Sequence, residues 1–349
     1  RLKWAHSTVF LTKNTTASCH RVSHNKISDD FDFHNTPEKL LARTKMLNNQ
    51  WPERNPSGKA LGCEHCKVIE EAGGMSDRML HETMPMAPSS PVELKDNPSA
   101  IHVTPTELEI YFSNSCNLSC IYCGEHFSST WQAENKNFGH IDVIVEGISY
   151  DWLEDFNELK YLDKMFDWLD NNIQHLHSLY ILGGEPLRQP QSDRLLDFLS
   201  TKHCPNLRLT FFSNLTVNHD KTKEKLNKMS TLVENGNIEY AQITGSIDCW
   251  GKEAEYVRSG LNLEWWESNF THFMNTTDMN PSINMCWMPL TTFTMEDLIN
   301  KINTWQEQIV KENKLNDTFR ILNVSMMQAA GRPCIHPSIF GAEILDWGY

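Results

Sequence analysis

Leu108-Glu-Ile-Tyr-Phe-Ser113, running on through Asn114-Ser115 into Cys116-Asn-Leu-Ser-Cys120-Ile-Tyr-Cys123, decides how this chain is read. The first six residues are short, apolar and β-branched or aromatic in part, which predicts a strand. Three cysteines leave its end with the spacing C-x3-C-x2-C. Three thiolates from one loop can each take one iron of a cubane cluster. A four-iron cluster normally takes four protein thiolates, so three leave one iron open, and an open metal position binds a small molecule in catalytic sites generally. The alternatives are a zinc site or three buried thiols. Zinc ligands usually come as paired C-x2-C units, and no fourth ligand follows this loop closely.

Working outward, a strand and a helix alternate from about residue 105. Strands are expected at Leu108–Ser113, Leu176–Leu182, Leu207–Ser213, Tyr240–Ile247, Ser282–Trp287 and Arg320–Met326. Helices are expected between them at Tyr150–Asn172, Ser192–Thr201, Lys221–Glu234, Asn262–Asn275 and Met295–Glu312. In the last, Thr294-x-x-Asp297 resembles a capping box, and Met295, Leu298, Ile299, Ile302, Trp305 and Ile309 share one face. Strands alternating with helices argue for an α/β fold with a parallel sheet, open or curled into a partial barrel. In such sheets chemistry gathers where strands end. Cys116 follows the first strand, Gly183-Gly184-Glu185-Pro186 follows the second, and Ser213-Asn214 closes the third.

The C-x3-C-x2-C loop, with Tyr122 before its last cysteine, and the GGE motif at Gly183, Gly184 and Glu185 resemble the radical S-adenosylmethionine (SAM) superfamily, in that family's order, over about residues 105–330. The resemblance implies a partial (β/α)6 TIM-like barrel. It also implies a [4Fe-4S] cluster on Cys116, Cys120 and Cys123, with SAM chelating the open iron. The Gly183-Gly184 backbone, lacking Cβ atoms, would approach the SAM amino group, and Glu185 would shape that pocket. Ser213 and Asn214 resemble contacts to the SAM carboxylate or ribose, Ser246 and Asp248 resemble ribose contacts, and Arg258 would pair with the carboxylate. A Ser or Asp at a strand end is equally a helix cap. The implied chemistry is one-electron cleavage of SAM to methionine and a 5′-deoxyadenosyl radical that abstracts hydrogen, with electrons from a donor such as flavodoxin or ferredoxin. The cofactor carries the hard chemistry, and the protein positions it.

Residues 1–80 read as a separate small unit: a strand-like run Ser7–Leu11, a turn at Lys13-Asn14-Thr15, and a helix from Thr36-Pro37-Glu38 to Leu47. Cys19, Cys63 and Cys66 fall in it. One reading is zinc, with His20 or His65 as a further ligand. Trp4-x-His6, Cys19-His20-Arg21, Cys63-x2-Cys66 and Glu70-x5-Ser76-Asp77-Arg78 together resemble the twitch-type unit of some radical SAM proteins, which implies a second, auxiliary iron–sulfur cluster. That unit usually has a further cysteine shortly before the Trp. It is expected ahead of Arg1, with His20 or substrate as the other candidates. Residues 81–104, including Met84-Pro-Met-Ala-Pro-Ser-Ser-Pro91, read as a linker, and 331–349 as a C-terminal tail. Cys204, Cys249, Cys286 and Cys334 are isolated and read as buried thiols, with Cys249 and Cys286 the candidates for a hydrogen donor or extra ligand.

The 349 residues, with 22% charged and a net charge of −14, suit a globular protein and advertise no basic face for nucleic acid. No apolar run approaches the ~20 residues of a membrane span, and Arg1-Leu2-Lys3-Trp4 does not resemble a secretory leader. Of the ten cysteines, the tight clusters Cys63-x2-Cys66 and Cys116-x3-Cys120-x2-Cys123 read as metal ligands in a reducing cytoplasm rather than as disulfides. Three function classes follow: radical SAM chemistry on a peptide or protein side chain, which twitch-type units often accompany; the same chemistry on a small metabolite or nucleotide; and a metal-binding interaction module without turnover.

Overall fold

The computed structural model describes residues 2–19, 24–54, 61–76, 78–79, 101–139, 158–316 and 320–328. His20, Arg21, Asp77, Cys334, most of the 81–104 linker, the first turns of the helix expected from Tyr150, and the 331–349 tail lie outside them. The fold is mixed α/β on a large, mostly parallel sheet. The chain divides into two units, 1–112 with 150–180, and 113–149 with 181–349.

In the first unit, β1 (His6–Phe10) is buried along its whole length. It turns through a single 3-10 segment, Leu11–Lys13, closed by Asn14 in the left-handed region (φ 48), a conformation Asn tolerates better than most residues. β2 (Thr15–Ala17) then pairs antiparallel with it, and β3 (Asn25–Lys26) with β2. On its other side β1 pairs parallel with β4 (Glu107–Tyr111), His6 opposite Glu107 and Phe10 opposite Tyr111. The helix Pro37–Leu47 starts as its sequence predicts, with Thr36 accepting from the Lys39 amide and Pro37 in the first turn. The helix Glu158–Asn172 buries Leu162, Met165, Phe166 and Leu169. Their i, i+3, i+4, i+7 spacing presents one apolar face, and each fully buried side chain contributes about 1.5–3 kcal/mol. Trp168 meets Phe33 edge-on at 4.8 Å. β6 (Ser178–Leu182) ends this segment.

His6 gives this unit a pH dependence. Burial alone would lower its pKa, but Glu107 and Glu109, each 3.6 Å from a different ring nitrogen, raise it to about 9. A raised folded-state pKa stabilises fully below the unfolded value of about 6.5 and is lost as pH climbs through the folded value. Stability against thermal unfolding is therefore expected to fall between pH 6.5 and 9, by an amount on the order of 1–3 kcal/mol, and His6→Asn should flatten that slope.

In the second unit β7 (Cys204–Ser213), β8 (Ile238–Ser246), β10 (Ser282–Trp287) and β11 (Asn323–Gln328) run parallel in the order β11-β10-β8-β7. The helices His219–Glu234, Leu263–Thr276 and Met295–Asn316 connect them in turn, and Pro190–Ser200 precedes β7. Trp266 stacks on Phe270 at 4.9 Å, and Trp305 meets Phe270 at 4.9 Å and Trp250 at 5.8 Å, so that aromatic side chains join two of these helices. Two expectations change. The capping box at Thr294 does not begin a helix from extended chain: a 3-10 segment, Pro289–Thr294, runs straight into Met295–Asn316 and delivers helical backbone already formed. Leu298, Trp305 and Ile309 are buried on that helix as expected, but Ile299 is 47% exposed.

Candidate metal and cofactor site

The cysteine loop is held by a helix that its sequence did not announce. In Ser129–Phe138 the hydroxyls of the entry turn all point back at the loop. Ser128 Oγ caps the helix by accepting from the Trp131 amide and donates to the Leu118 carbonyl at 2.5 Å. The Cys116 amide donates to Ser129 Oγ at 3.1 Å, and the Cys116 carbonyl accepts from Ser129 Oγ and Thr130 Oγ1. Trp131 Nε1 reaches the Cys120 carbonyl at 2.8 Å, and Ser119 Oγ donates to Glu134. The loop thereby satisfies its backbone groups away from regular structure. A two-residue strand, β5 (Ser119–Cys120), pairs antiparallel with β9 (Arg258–Ser259), pinning the loop from the other side.

None of Cys116, Cys120 and Cys123 is in a disulfide. Cys116 and Cys120 are pushed up to about 12, mainly by burial and in part by a neighbouring thiol of the same loop, Cys120 acting on Cys116 and Cys123 on Cys120. The Leu118 amide donates to Cys116 Sγ at 3.4 Å, and Asn214 Nδ2 approaches the same sulfur at 3.8 Å. Such donors favour a thiolate and its metal complex. Among the described residues no three His, Cys, Asp or Glu side chains close around a point that would hold a single ion. Three thiols outside any disulfide, with amide donors at the Cys116 sulfur and a turn without side chains beside them, are a donor set that suits thiolate ligation of an iron–sulfur cluster.

That turn is Gly183-Gly184, with φ of +79 and +57. A Cβ on Gly184 would stand 2.4 Å from the Ser115 carbonyl oxygen and 2.9 Å from the Asn114 carbonyl carbon. Gln189, fully buried and absent from the sequence reading, fixes the turn by donating to the Gly183 carbonyl at 2.8 Å and the Ser113 carbonyl at 3.2 Å. Glu185 has no exposed surface. Its Oε1 accepts from Ser213 Oγ at 2.7 Å and the Leu187 amide at 2.9 Å, and its Oε2 accepts from the Asn214 amide at 2.6 Å. Its own amide donates to the Ser115 carbonyl at 2.8 Å. Burial raises its pKa and these donors oppose the rise. One residue therefore ties the cysteine loop, the glycine turn and the end of β7 together. Past it, Leu215 is held at φ 51, a strained position for a branched side chain, which turns Ser213 and Asn214 inward. Asn214 Nδ2 also donates to Asn117 Oδ1 at 3.0 Å.

Glu185→Gln is accordingly expected to destabilise. Each carboxylate oxygen faces a backbone N–H that cannot rotate, so either orientation of the amide sets donor against donor. The loss should be about 1–3 kcal/mol, measured as a lower unfolding midpoint, whereas a surface control such as Glu296→Gln should not move it.

Asp248 and Arg258, both expected to contact the cofactor, also bond each other. Asp248 Oδ2 accepts from Arg258 Nε at 2.8 Å and Tyr122 OH at 2.9 Å, and Oδ1 from Arg258 NH2 at 2.9 Å and the Cys286 amide at 2.8 Å. Arg258 also lies 5.4 Å from the Tyr122 ring centroid. Burial would lower Arg258, but Asp248 dominates and holds it charged. Because Arg258 pairs with Cys120 across β5–β9, this buried ion pair anchors the cysteine loop. Ser246 ends β8, where its carbonyl accepts from Trp266 Nε1 at 3.2 Å. Cys249 and Cys286 are pushed up to about 11 and about 12 by burial.

In the first unit Cys63 precedes the helix Glu64–Glu71 and Cys66 lies in its first turn, both buried. Burial raises the Cys63 thiol, and Cys19 and Cys66, close enough to act on it, raise it further. None of the three is in a disulfide, and as thiols they suit a thiolate-bound metal group. His65, in the same helix, is exposed. Glu70 binds Ser76 and takes Arg78 through both carboxylate oxygens, and Arg78 covers the Trp51 ring at 4.9 Å.

No helix among the described residues is long and apolar enough to cross a membrane. No family model matches the chain, and no curated protein matches it. Among solved structures it is similar to native anSMEcpe with bound AdoMet, at 18% identity over 65% of this chain and 52% of that one, with a TM-score of 0.39. It is also similar to anSMEcpe with AdoMet and the Kp18Cys peptide, at 17% identity over 64% and 51% with a TM-score of 0.39. A third likeness is to TYW1 with a lysine–pyruvate adduct bound, at 15% identity over 69% of each chain with a TM-score of 0.30. The chain spans about half the length of the first two.

Proposed function

We propose that the chain is a radical SAM enzyme built as a partial (β/α)6 barrel over about residues 105–330, with a twitch-like auxiliary-cluster unit in residues 1–80. The observation that carries this reading is Glu185: one buried carboxylate joins a loop of three cysteines, a turn of two bare glycines and the polar end of β7. Cys116, Cys120 and Cys123 would hold a [4Fe-4S] cluster, and Cys19, Cys63 and Cys66 a second iron–sulfur cluster, with zinc the alternative there. Cluster and SAM, when bound, supply one-electron cleavage of the sulfonium C–S bond and a 5′-deoxyadenosyl radical for hydrogen abstraction.

The chain's own residues bind and orient. Gly184, without a Cβ, lets the turn pack against the Asn114–Ser115 main chain, and the bare Gly183-Gly184 backbone would meet the SAM amino group. Glu185 fixes Ser213 and Asn214, which carry the polar contacts to SAM. Asn214 and the Leu118 amide set the electrostatics of the Cys116 sulfur. Tyr122, held by Asp248 and Arg258, fixes the rim of the loop, and Ser246 ends the adjacent strand. The substrate class we favour is a peptide or protein side chain, because of the twitch-like cysteine unit, with electrons from a flavodoxin- or ferredoxin-type donor in a reducing cytoplasm.

Anaerobic reconstitution of the full chain with iron and sulfide tests the reading. About eight irons per chain and release of 5′-deoxyadenosine from SAM under reduction support it. Bound zinc with no SAM cleavage would make the protein a metal-binding module instead.

A further inference from the structure

The first unit buries three cations with no carboxylate partner among the described residues. Lys3, Lys39 and Arg43 are 5%, 2% and 0% exposed. Lys39 Nζ donates to the hydroxyls of Ser7 at 2.7 Å and Thr16 at 2.8 Å. Arg43 donates to the carbonyls of Lys3, His34 and Ile101 and to Asn35 Oδ1. All of these acceptors are neutral. Burial, with Arg43 and Lys3 nearby, pushes the Lys39 ammonium down, and the groups acting the other way are Asp32 and Cys19. Burying an unpaired charge costs several kcal/mol, and like charges set close together add to that.

Lys3 shows where the missing negative charge belongs. Its Nζ donates to Ser18 Oγ at 3.2 Å and to the Leu61 carbonyl at 3.1 Å. Ser18 directly precedes Cys19, and Leu61 lies two residues before Cys63. One buried ammonium thus ties together the two segments that carry the thiols, and it also hydrogen-bonds the Cys63 thiol. A thiolate-bound iron–sulfur cluster is anionic, and more so when reduced. Net charge and hydrogen bonds to the sulfurs are among the levers that set its potential.

We infer that Lys3, with Lys39 behind it, is the built-in counter-charge of an iron–sulfur cluster at Cys19, Cys63 and Cys66, and raises that cluster's reduction potential. This rests on the proposal that those cysteines hold such a cluster. Lys3 acts here as a positioning and tuning residue, and it takes no part in the reaction itself.

The test uses the full chain with Cys116, Cys120 and Cys123 replaced by Ala, so that iron reports on the other site alone. It is loaded anaerobically with ferrous iron and sulfide and titrated by electron paramagnetic resonance at set potentials. Lys3→Met is expected to lower the reduced-to-oxidised ratio at a fixed potential about tenfold, equivalent to about 59 mV for one electron. Lys3→Arg, which keeps the charge, should stay near the parent. Lys3→Met that loads iron as the parent does and leaves the ratio unchanged overturns the inference. A parent that takes up no iron, or only zinc, overturns the cluster reading itself and the inference with it. If Lys3→Met does not fold, Lys39→Met carries the same test: a fall in the ratio is expected, and no change overturns the inference.

Discussion

Asp248→Asn should lower the stability of the apo chain by about 3–5 kcal/mol, the loss typical when one partner of a buried ion pair is removed. The expectation follows from where the charges sit. Asp248 is fully buried, Arg258 is 6% exposed, and two Arg258 nitrogens bond the two Asp248 oxygens at 2.8 and 2.9 Å. An asparagine leaves the guanidinium without its counter-charge. It also turns an amide donor either toward Arg258 Nε and Tyr122 OH or toward Arg258 NH2 and the Cys286 amide, since both oxygens are already accepting. The measurement is the thermal or urea midpoint of the anaerobic apo protein. The double change Asp248→Leu with Arg258→Met should recover much of the loss, because an apolar pair of similar volume often replaces a buried ion pair at little cost. In the reconstituted protein the single variant should also load less iron, because Arg258 is the β9 residue opposite Cys120.

Gly184→Ala is expected to be worse for activity than for folding. The added methyl meets the Ser115 carbonyl oxygen and, at 2.9 Å, the Asn114 carbonyl carbon, which are backbone and cannot swing aside, and it also meets Gln189 Nε2 at 2.7 Å, the buried amide that holds the turn. Ser115 adjoins Cys116, so relief of the clash shifts the cysteine loop proposed to hold the cluster. The left-handed φ of +57 adds about 1–2 kcal/mol for any residue with a Cβ, and overpacking about 1–3 kcal/mol. Displacing reacting groups by about 1 Å can cost about 100-fold in rate, so SAM cleavage should fall by about that factor. Gly124→Ala is the control. It stands next to Cys123, but a Cβ there meets nothing within 4 Å, and it should leave cleavage unchanged.

The alternation of apolar runs placed the strands within a few residues, because buried parallel strands are written as short hydrophobic segments: Ser282–Trp287 was expected and observed with the same bounds. The cysteine loop and the glycine turn were equally legible, since their residue types are demanded by local chemistry and local φ. What was hidden depends on distant partners or on very short elements. The helix Ser129–Phe138 buries only Trp131 and has no apolar period to detect; its signal was the hydroxyl run Ser128-Ser129-Thr130. β5 and β9 are two residues each, below any pattern. Gln189 and Leu215 act through burial and backbone conformation that their side-chain types do not announce. Asp248 and Arg258 read as two independent polar residues at strand and turn ends. Their mutual bond is set by the return of the chain through Lys252–Val257, which a sequence does not display.

The central claim is that the Cys116–Cys120–Cys123 loop presents a cluster with one iron open to SAM. The direct measurement is electron paramagnetic resonance of the reduced, reconstituted full chain carrying Cys19→Ala, Cys63→Ala and Cys66→Ala, recorded with and without SAM. The account predicts a four-iron signal whose spectrum changes when SAM is added. A signal indifferent to SAM, or a colourless protein whose loop thiols have joined in disulfides, would contradict it.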